Sequence, residues 1–332
     1  DRSYSISGKR VLVTGAAGFI GSHLVERLLS EAGQVRAFVR YNSRGDIGLL
    51  RYLGREKLSD VEIIFGDLRD FNALLNSLRG VDVLFHLGAM ISIPYSYLHP
   101  YEVIETNVLG TTNVLLAARE AQVERIVHTS TSEVYGTADY VPIDESHPLK
   151  GQSPYSASKI GADKIAGSFY RAYNLPVATI RPFNTFGPRQ SMRAVIPTII
   201  TQVLTRNELQ LGNLDATRDF TFVLDSCEGF VQIASCDACI GDETNIGSGF
   251  EVSVRDVAKK VMKIVGREVP IVVDRERIRP EKSEVERLFA GTEKAKRLFG
   301  WKPKHSFEEG LRLTIDWIKK NIDIYNPDKY YI

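Results

Sequence analysis

Short apolar runs alternate with stretches of helical hydrophobic spacing along the first half of the chain. Residues 9–14 form one such run and meet a glycine turn, after which Ile20, Leu24 and Leu28 recur on one helix face through 19–29. The pattern predicts a strand, a tight turn and a helix. Further apolar strands are predicted at 35–39, 61–65, 81–87, 125–130 and 177–181, with helices at 100–121 and 155–173. Runs that are apolar throughout belong to strands buried on both faces, and their alternation with helices predicts a parallel, doubly wound α/β sheet. Ligands of such a sheet gather outside the carboxyl ends of its strands.

Beyond about residue 183 the alternation becomes irregular. Helices are predicted at 194–204 and 225–235, and Ser253 with Asp256 and Ser306 with Glu309 each read as a hydroxyl cap followed by an acid three residues on. Gly300 is expected to stop a short helix that begins near Thr292. No Pro/Gly/Ser linker marks a boundary, so 1–183 is read as the sheet domain and 184–332 as a smaller α/β lobe whose segments are free to cross back. There is no internal repeat and no low-complexity stretch.

Composition narrows the partners. The 332 residues are 43% hydrophobic and 25% charged, and 42 basic against 41 acidic residues leave a formal net charge of +1. No global field favours nucleic acid or an anionic membrane, so anion binding must be local. Cys227, Cys236 and Cys239 are too few and too clustered for a disulfide framework, which suits a reducing compartment. The start, residues 1–8, is polar, and no apolar run approaches the ~20 residues needed to span a bilayer, so a cytoplasmic protein without a membrane partner is expected.

The first turn carries Gly15, Gly18 and Gly21 between strand and helix, with Phe19 and Ile20 opening the helix. Missing side chains there let the backbone turn tightly and approach a pyrophosphate at the helix N-terminus, the fingerprint of a Rossmann-type dinucleotide site. An acid after the second strand would hold the adenosine ribose, whereas an arginine accepts a 2′-phosphate. The chain has Arg40 there and no acid, so NADP is read slightly ahead of NAD, the alternative being an Arg40 that is solvated or stacked on adenine. Asp67 and Leu68 follow the third strand, where Asp67 is placed to accept from the adenine amino group. Gly88 and Ala89 leave room for the cofactor after the fourth.

Tyr155 and Lys159 stand four apart and share one helix face. An ammonium beside a phenol stabilises the phenolate, which predicts that Tyr155 acts as a base near neutral pH. Thr131, at the end of the fifth strand, is placed to bond the same substrate hydroxyl. Together they are the minimum apparatus for moving a hydride between an alcohol carbon and a nicotinamide. Tyr325 and Lys329 repeat the spacing around a proline near the end of the chain and are read as chance.

At these residues the chain resembles the extended short-chain dehydrogenase/reductase family, in its NAD-dependent branch of nucleotide-sugar epimerases, dehydratases and decarboxylases. The carrying segments are Val13 to His23, His128 to Gly136, Pro154 to Lys159 and Arg181 to Arg189, with later landmarks at Thr217 to Phe220, Asn245 to Ser248 and Arg279 to Glu281. The resemblance spans roughly residues 8–320. It implies a nicotinamide cofactor that stays bound and is regenerated. Thr131, Ser132 and Glu133 then separate the branches: a 4-epimerase needs only to remove and return one hydride, whereas a 4,6-dehydratase also needs a base for the C5 proton, and Glu133 fits it. Glucose-type dehydratases usually present Asp-Glu, so Ser132 leaves the acid for the departing water unassigned.

The segments 189–198 and 279–287 look like those of dehydratases acting on nucleotide-linked N-acetylglucosamine. The resemblance therefore implies an NDP-N-acetylglucosamine 4,6-dehydratase, a hydro-lyase. A UDP-glucuronate decarboxylase, a 4-epimerase and, from another class, a non-catalytic cofactor-binding protein are the alternatives. Asn184, Arg218 and Arg279 match family positions that hold the nucleotide diphosphate or ribose, and Arg189 and Arg193 are weaker phosphate candidates. Relatives pair the helices at 100–121 and 155–173 into a four-helix bundle, so a homodimer is expected. Cys236 and Cys239 have metal spacing without a second pair, and the scattered histidines complete no metal set, so none is expected.

Overall fold

The computed structural model describes residues 4–332, so residues 1–3 of the polar start lie outside the described residues. Six strands fall where the apolar runs predict them: β1 (Arg10–Thr14), β2 (Gln34–Arg40), β3 (Val61–Gly66), β4 (Val83–His86), β5 (Arg125–Thr129) and β6 (Val177–Pro182). Later strands are shorter: β7 (Asn184–Phe186), β8 (Leu209–Leu211), β9 (Thr217–Arg218), β10 (Phe220–Phe222), β11 (Glu243–Ile246), β12 (Val252–Ser253) and β13 (Ile271–Val273). The main sheet is seven-stranded, in the order β11-β6-β5-β4-β1-β2-β3, and every pairing in it is parallel.

Two faces of this sheet are buried, and the pleat sorts its residues between them. Leu12 and Leu84 pack with Leu74, Val114 and Phe169 from the helices Phe71–Leu78, Gly110–Glu120 and Pro154–Tyr173. Their neighbours Val11, Val13 and Phe85 face the opposite way, against Leu24 of the helix Phe19–Leu28 and Phe230 of the helix Val223–Ala234. The fold is thus a Rossmann-type α/β layer structure with a doubly covered parallel sheet. The last helix belongs to the second half of the chain yet packs on the sheet, as does β11, whose Asn245 pairs in register with Arg181 of β6.

Three differences from the sequence reading have physical causes. The helix Phe71–Leu78, not anticipated, is started by Asp70, whose side chain accepts from Ala73 N. The predicted helix at 100–121 is interrupted by a π turn, Glu105–Leu109. There Asn107 is buried and clasps the loop after β4, donating to Met90 O at 2.9 Å and accepting from Met90 N at 2.8 Å. Strand β11 carries Glu, Thr and Asn and so lacked an apolar signature. It is buried because Asn245 is fully bonded, to Tyr135, Ile143 and Glu145.

The smaller lobe is built from strand pairs, β7 with β10, β8 with β13 and β9 with β12, and the helices Val195–Thr205, Val254–Val265 and Phe307–Lys320. Ser306 and Glu309 form the complete capping box, Ser253 accepts from Asp256 N, and Gly300 ends the helix Glu293–Phe299 in the left-handed conformation. A separate small core of Val134, Tyr135, Ile143, Phe183, Val285 and Leu288 fastens the turn after β5 to the lobe. The central strand governs stability: Leu12 is fully buried, so Leu12→Ala is expected to cost about 2–5 kcal/mol in urea unfolding.

Candidate active site

The carboxyl ends of β1 and β4 are stitched together before any ligand arrives. Thr14 Oγ1 accepts from Leu87 N and Gly88 N, each at 3.0 Å, and donates to His86 Nδ1 at 2.7 Å. The other ring nitrogen of His86 meets Thr111 Oγ1 at 2.9 Å, and burial holds this histidine well below its usual pKa, so it is neutral.

Above this stitch lies a cradle without side chains. Gly15 has φ +65°, and a Cβ placed on it would stand 2.8 Å from Gly88 N. A Cβ on Gly21 would lie 2.1 Å from Gly15 O. The helix that follows starts at Phe19 with no side-chain cap and no acid in its first turn, which leaves its amide groups for an anion. Gly88 packs against Leu68, half-buried Phe19 and Ile20 open the helix, and Ala89 is also half-buried. These residues fit a dinucleotide. Arg40 is exposed at the end of β2, and Asp67 is engaged by Arg69 at 2.9 Å, which with Arg40 nearby holds its carboxyl below the usual range.

The catalytic candidates converge at the end of β5. Thr131 caps the short turn Ser132–Tyr135, its Oγ1 accepting from Glu133 N at 3.2 Å. Pro154 and the Ser153–Ser156 capping box start the long helix, which sets Tyr155 at its second position, 7% exposed, and Lys159 one turn on. Lys159 Nζ donates to Thr129 O at 2.7 Å, the last carbonyl of β5. Burial lowers its pKa to about 8, against the pull of Asp163.

The sequence reading made Lys159 the group that lowers the Tyr155 pKa. In the structure burial raises the phenol above its usual value, and the opposing influence is a hydrogen bond from Thr131, while the charge of Glu133 pushes it further up. Lys159 gives one of its three donors to the Thr129 carbonyl and is not among the groups that shift the phenol, so by itself it does not make the phenol a base. The same Glu133 charge also reaches the buried guanidinium of Arg218, whose charged form it favours. Ser132 is buried beside it.

The lobe supplies the opposite wall. Arg218 on β9 is 7% exposed and meets Glu284 at 3.4 Å, and Arg279 approaches the same carboxylate at 3.9 Å. Asn184 Oδ1 and Arg279 Nη1 are buried without a hydrogen-bond partner, a costly state that a polar ligand would relieve. Arg189 and Arg193 do not join them. Arg189 is tied to Glu26 at 2.6 Å and fastens its loop to the first helix, and Arg193 is exposed and bonded to Ser191. Glu284 escaped the sequence reading, although two arginines and an acid within ten residues of a landmark signalled it; so did Asp163, one turn beyond Lys159 on the same helix.

The family model for GDP-mannose 4,6 dehydratase matches residues 12–314. The chain belongs to the extended short-chain dehydrogenase/reductase family, in its NAD-dependent epimerase/dehydratase branch. It is an enzyme of the sugar-nucleotide dehydratase type. It is 32% identical to human dTDP-D-glucose 4,6-dehydratase over 94% of this chain and 91% of that one. Among solved structures, the dTDP-glucose 4,6-dehydratase DesIV of Streptomyces venezuelae, with NAD and TYD bound, superposes with a TM-score of 0.84 at 34% identity, covering 96% of this chain and all of that one. TunA, an NAD-dependent NDP-hexosamine 5,6-dehydratase of tunicamycin biosynthesis, superposes at 0.80 and 29% identity, over 97% of this chain and 100% of TunA. Sugar-nucleotide 4-epimerases match at comparable identity.

The buried lysine gives a test with a defined sign. Its folded-state pKa of about 8 lies below the ordinary lysine value of 10.5, so between these values the unfolded chain holds the extra proton and folding is penalised on the acidic side. Lys159→Met is expected to abolish turnover yet match or exceed the wild-type melting temperature at pH 7. In melts across pH, the difference should shrink as the pH rises through this window.

Proposed function

We propose that the protein is an NAD-dependent nucleotide-sugar 4,6-dehydratase whose substrate is a nucleotide-linked N-acetylglucosamine. The observation that carries this reading is Glu133, two residues after Thr131 on the turn that follows β5 and with its charge felt by both Tyr155 and Arg218. A 4-epimerase has no use for such a base. The hexosamine is supported by the segments 189–198 and 279–287 and by the name of the TunA relative. NAD is supported by the relatives solved with it, and the carboxylates of Asp67 and Glu105 around Arg69 offset the charge that Arg40 would offer a 2′-phosphate.

Gly15, Gly18 and Gly21 would hold the pyrophosphate, with Gly88 and Ala89 beside the nicotinamide half. The cofactor, when bound, supplies a hydride acceptor and donor. For this step the Tyr155 phenol must first give up its own proton, which burial disfavours; as phenolate it takes the proton of the sugar C4 hydroxyl as the C4 hydride leaves, which turns C4 into a ketone, and Thr131 bonds the same oxygen. The ketone acidifies the C5 proton, and Glu133 removes it. The two protons taken up by Tyr155 and Glu133 balance the one that leaves with the C6 hydroxyl as water and the one that returns to C5, and with the hydride restored at C6 the product is a 4-keto-6-deoxy sugar. Arg218, Arg279 and Asn184 bind the diphosphate and ribose, using the buried polar atoms that lack partners. In this reading Glu284, held by both arginines, yields to the phosphates.

The same reading includes a homodimer acting in the cytosol. Tyr101, Leu109 and Tyr173 are 76%, 54% and 46% exposed on the two helices expected to pair, which supports an apolar interface there. Among the described residues no helix is long and apolar enough to cross a membrane.

Incubation with UDP- or GDP-N-acetylglucosamine should give a product about 18 mass units lighter by mass spectrometry, the loss of one water by the reaction above. Unchanged mass with a C4-inverted sugar would make the protein an epimerase. Glu133→Gln should lower dehydration by about 10²–10⁴-fold while cofactor reduction at C4 persists in a stopped-flow trace. Leu109→Asp should convert the protein to a monomer in analytical ultracentrifugation.

A further inference from the structure

One buried charge lies directly beyond the catalytic pair. Tyr155, Lys159 and Asp163 follow each other at turn spacing on one helix face. Asp163 is 1% exposed, and its carboxylate is saturated. Ser130 Oγ donates to it at 2.6 Å, His128 Nε2 at 3.1 Å, and Arg181 through Nε and Nη2 at 3.2 Å each. Ser130 and Thr129 are consecutive. Thr129 offers the carbonyl that Lys159 binds, and Thr131 comes next with the hydroxyl that bonds Tyr155. Beyond Arg181 the chain of bonds continues through Tyr135, at 3.1 Å, to Asn245 of β11, at 2.6 Å.

We propose that Asp163 is a positioning residue of the reaction: its carboxylate fixes the Thr129–Thr131 strand end through Ser130 and is the counter-charge that keeps the Lys159 ammonium protonated while it turns over. A buried unpaired cation is strongly disfavoured, and among the described residues Asp163 is the charge that favours the proton on Lys159 against burial. Of the other charged or titratable groups facing this pair, the two histidines are neutral, while Arg181 shares the Asp163 carboxylate and is in turn faced by Glu243. His86 on β4 and His128 on β5 are buried and held below their usual pKa, Arg181 on β6 is paired with Asp163, and Glu243 on β11 faces Arg181 at 3.7 Å. Tyr155 on the helix itself is protonated in this state, and the charge of Glu133 acts on Tyr155 and Arg218.

The inference rests on the proposed dehydratase reaction, and its test separates the two. In the holoenzyme with UDP-N-acetylglucosamine, kcat is expected to fall on the alkaline side as Lys159 loses its proton. Asp163→Asn should move that limb down by about one pH unit or more, with KM little changed. A limb that stays in place while kcat falls would mean that Asp163 is structural only, and the proposal would fail. Should the wild type turn over no sugar nucleotide, the proposed function fails instead, and melts of the cofactor-free protein decide the inference. Asp163→Asn must then gain stability more steeply than wild type between pH 7 and the ordinary lysine value of 10.5, and parallel curves overturn it. Where the Asn variant does not fold, Ser130→Ala, which removes one bond and no charge, should lower kcat by about tenfold or more at similar KM; an unchanged kcat refutes the positioning role.

Discussion

The site depends on where the end of β5 is held. A parallel strand leaves its last carbonyls without a ladder partner once the sheet stops, and in this protein the Thr129 carbonyl is taken by a buried ammonium from a helix that crosses the sheet. That single bond, 2.7 Å long, ties strand, catalytic turn and catalytic helix into one unit. Ser130 is tied to the same helix through Asp163, and Thr131 caps the turn that presents Glu133. The residues read as substrate-facing therefore sit on a rigid corner rather than on a free loop.

Charge burial is the cost of that arrangement, and the fold distributes it. Lys159 and Asp163 lie inside a protein whose net charge is close to zero, and each is satisfied by groups fixed before ligand binds. On the opposite wall the balance is left incomplete: two arginines share Glu284, while Asn184 Oδ1 and Arg279 Nη1 have no partner. A satisfied corner for chemistry faces an unsatisfied wall for phosphates. The small core around Val134, Phe183 and Val285 holds the two at fixed separation, since it packs the catalytic turn against the loop that carries Arg279.

Much of this was legible in the chain. Apolar runs and glycine spacing place six of the seven sheet strands and the cradle of Gly15, Gly18 and Gly21, because burial on both faces and the absence of side chains are written directly in residue type. The register of Tyr155 to Lys159 follows from helix geometry alone. Strand β11 did not announce itself, since a sequence of Glu, Thr and Asn reads as loop until Tyr135, Ile143 and Glu145 are brought to Asn245 from 100 to 110 positions away. The π turn at Glu105–Leu109 was equally silent, because what bends the helix is Asn107 reaching the Met90 backbone.

The sequence by itself determined the sheet, the dinucleotide turn and the set of residues proposed for the chemistry, since each rests on local periodicity or on a few adjacent side chains. Tertiary structure alone decided how those residues are charged and which are free to act. Lys159 proved bonded to a strand end and depressed by burial, Tyr155 raised rather than lowered, and Arg189 occupied by Glu26. A pKa is set by the dielectric and the charges of everything nearby in space. Those neighbours come from distant parts of the chain, and only the fold brings them together.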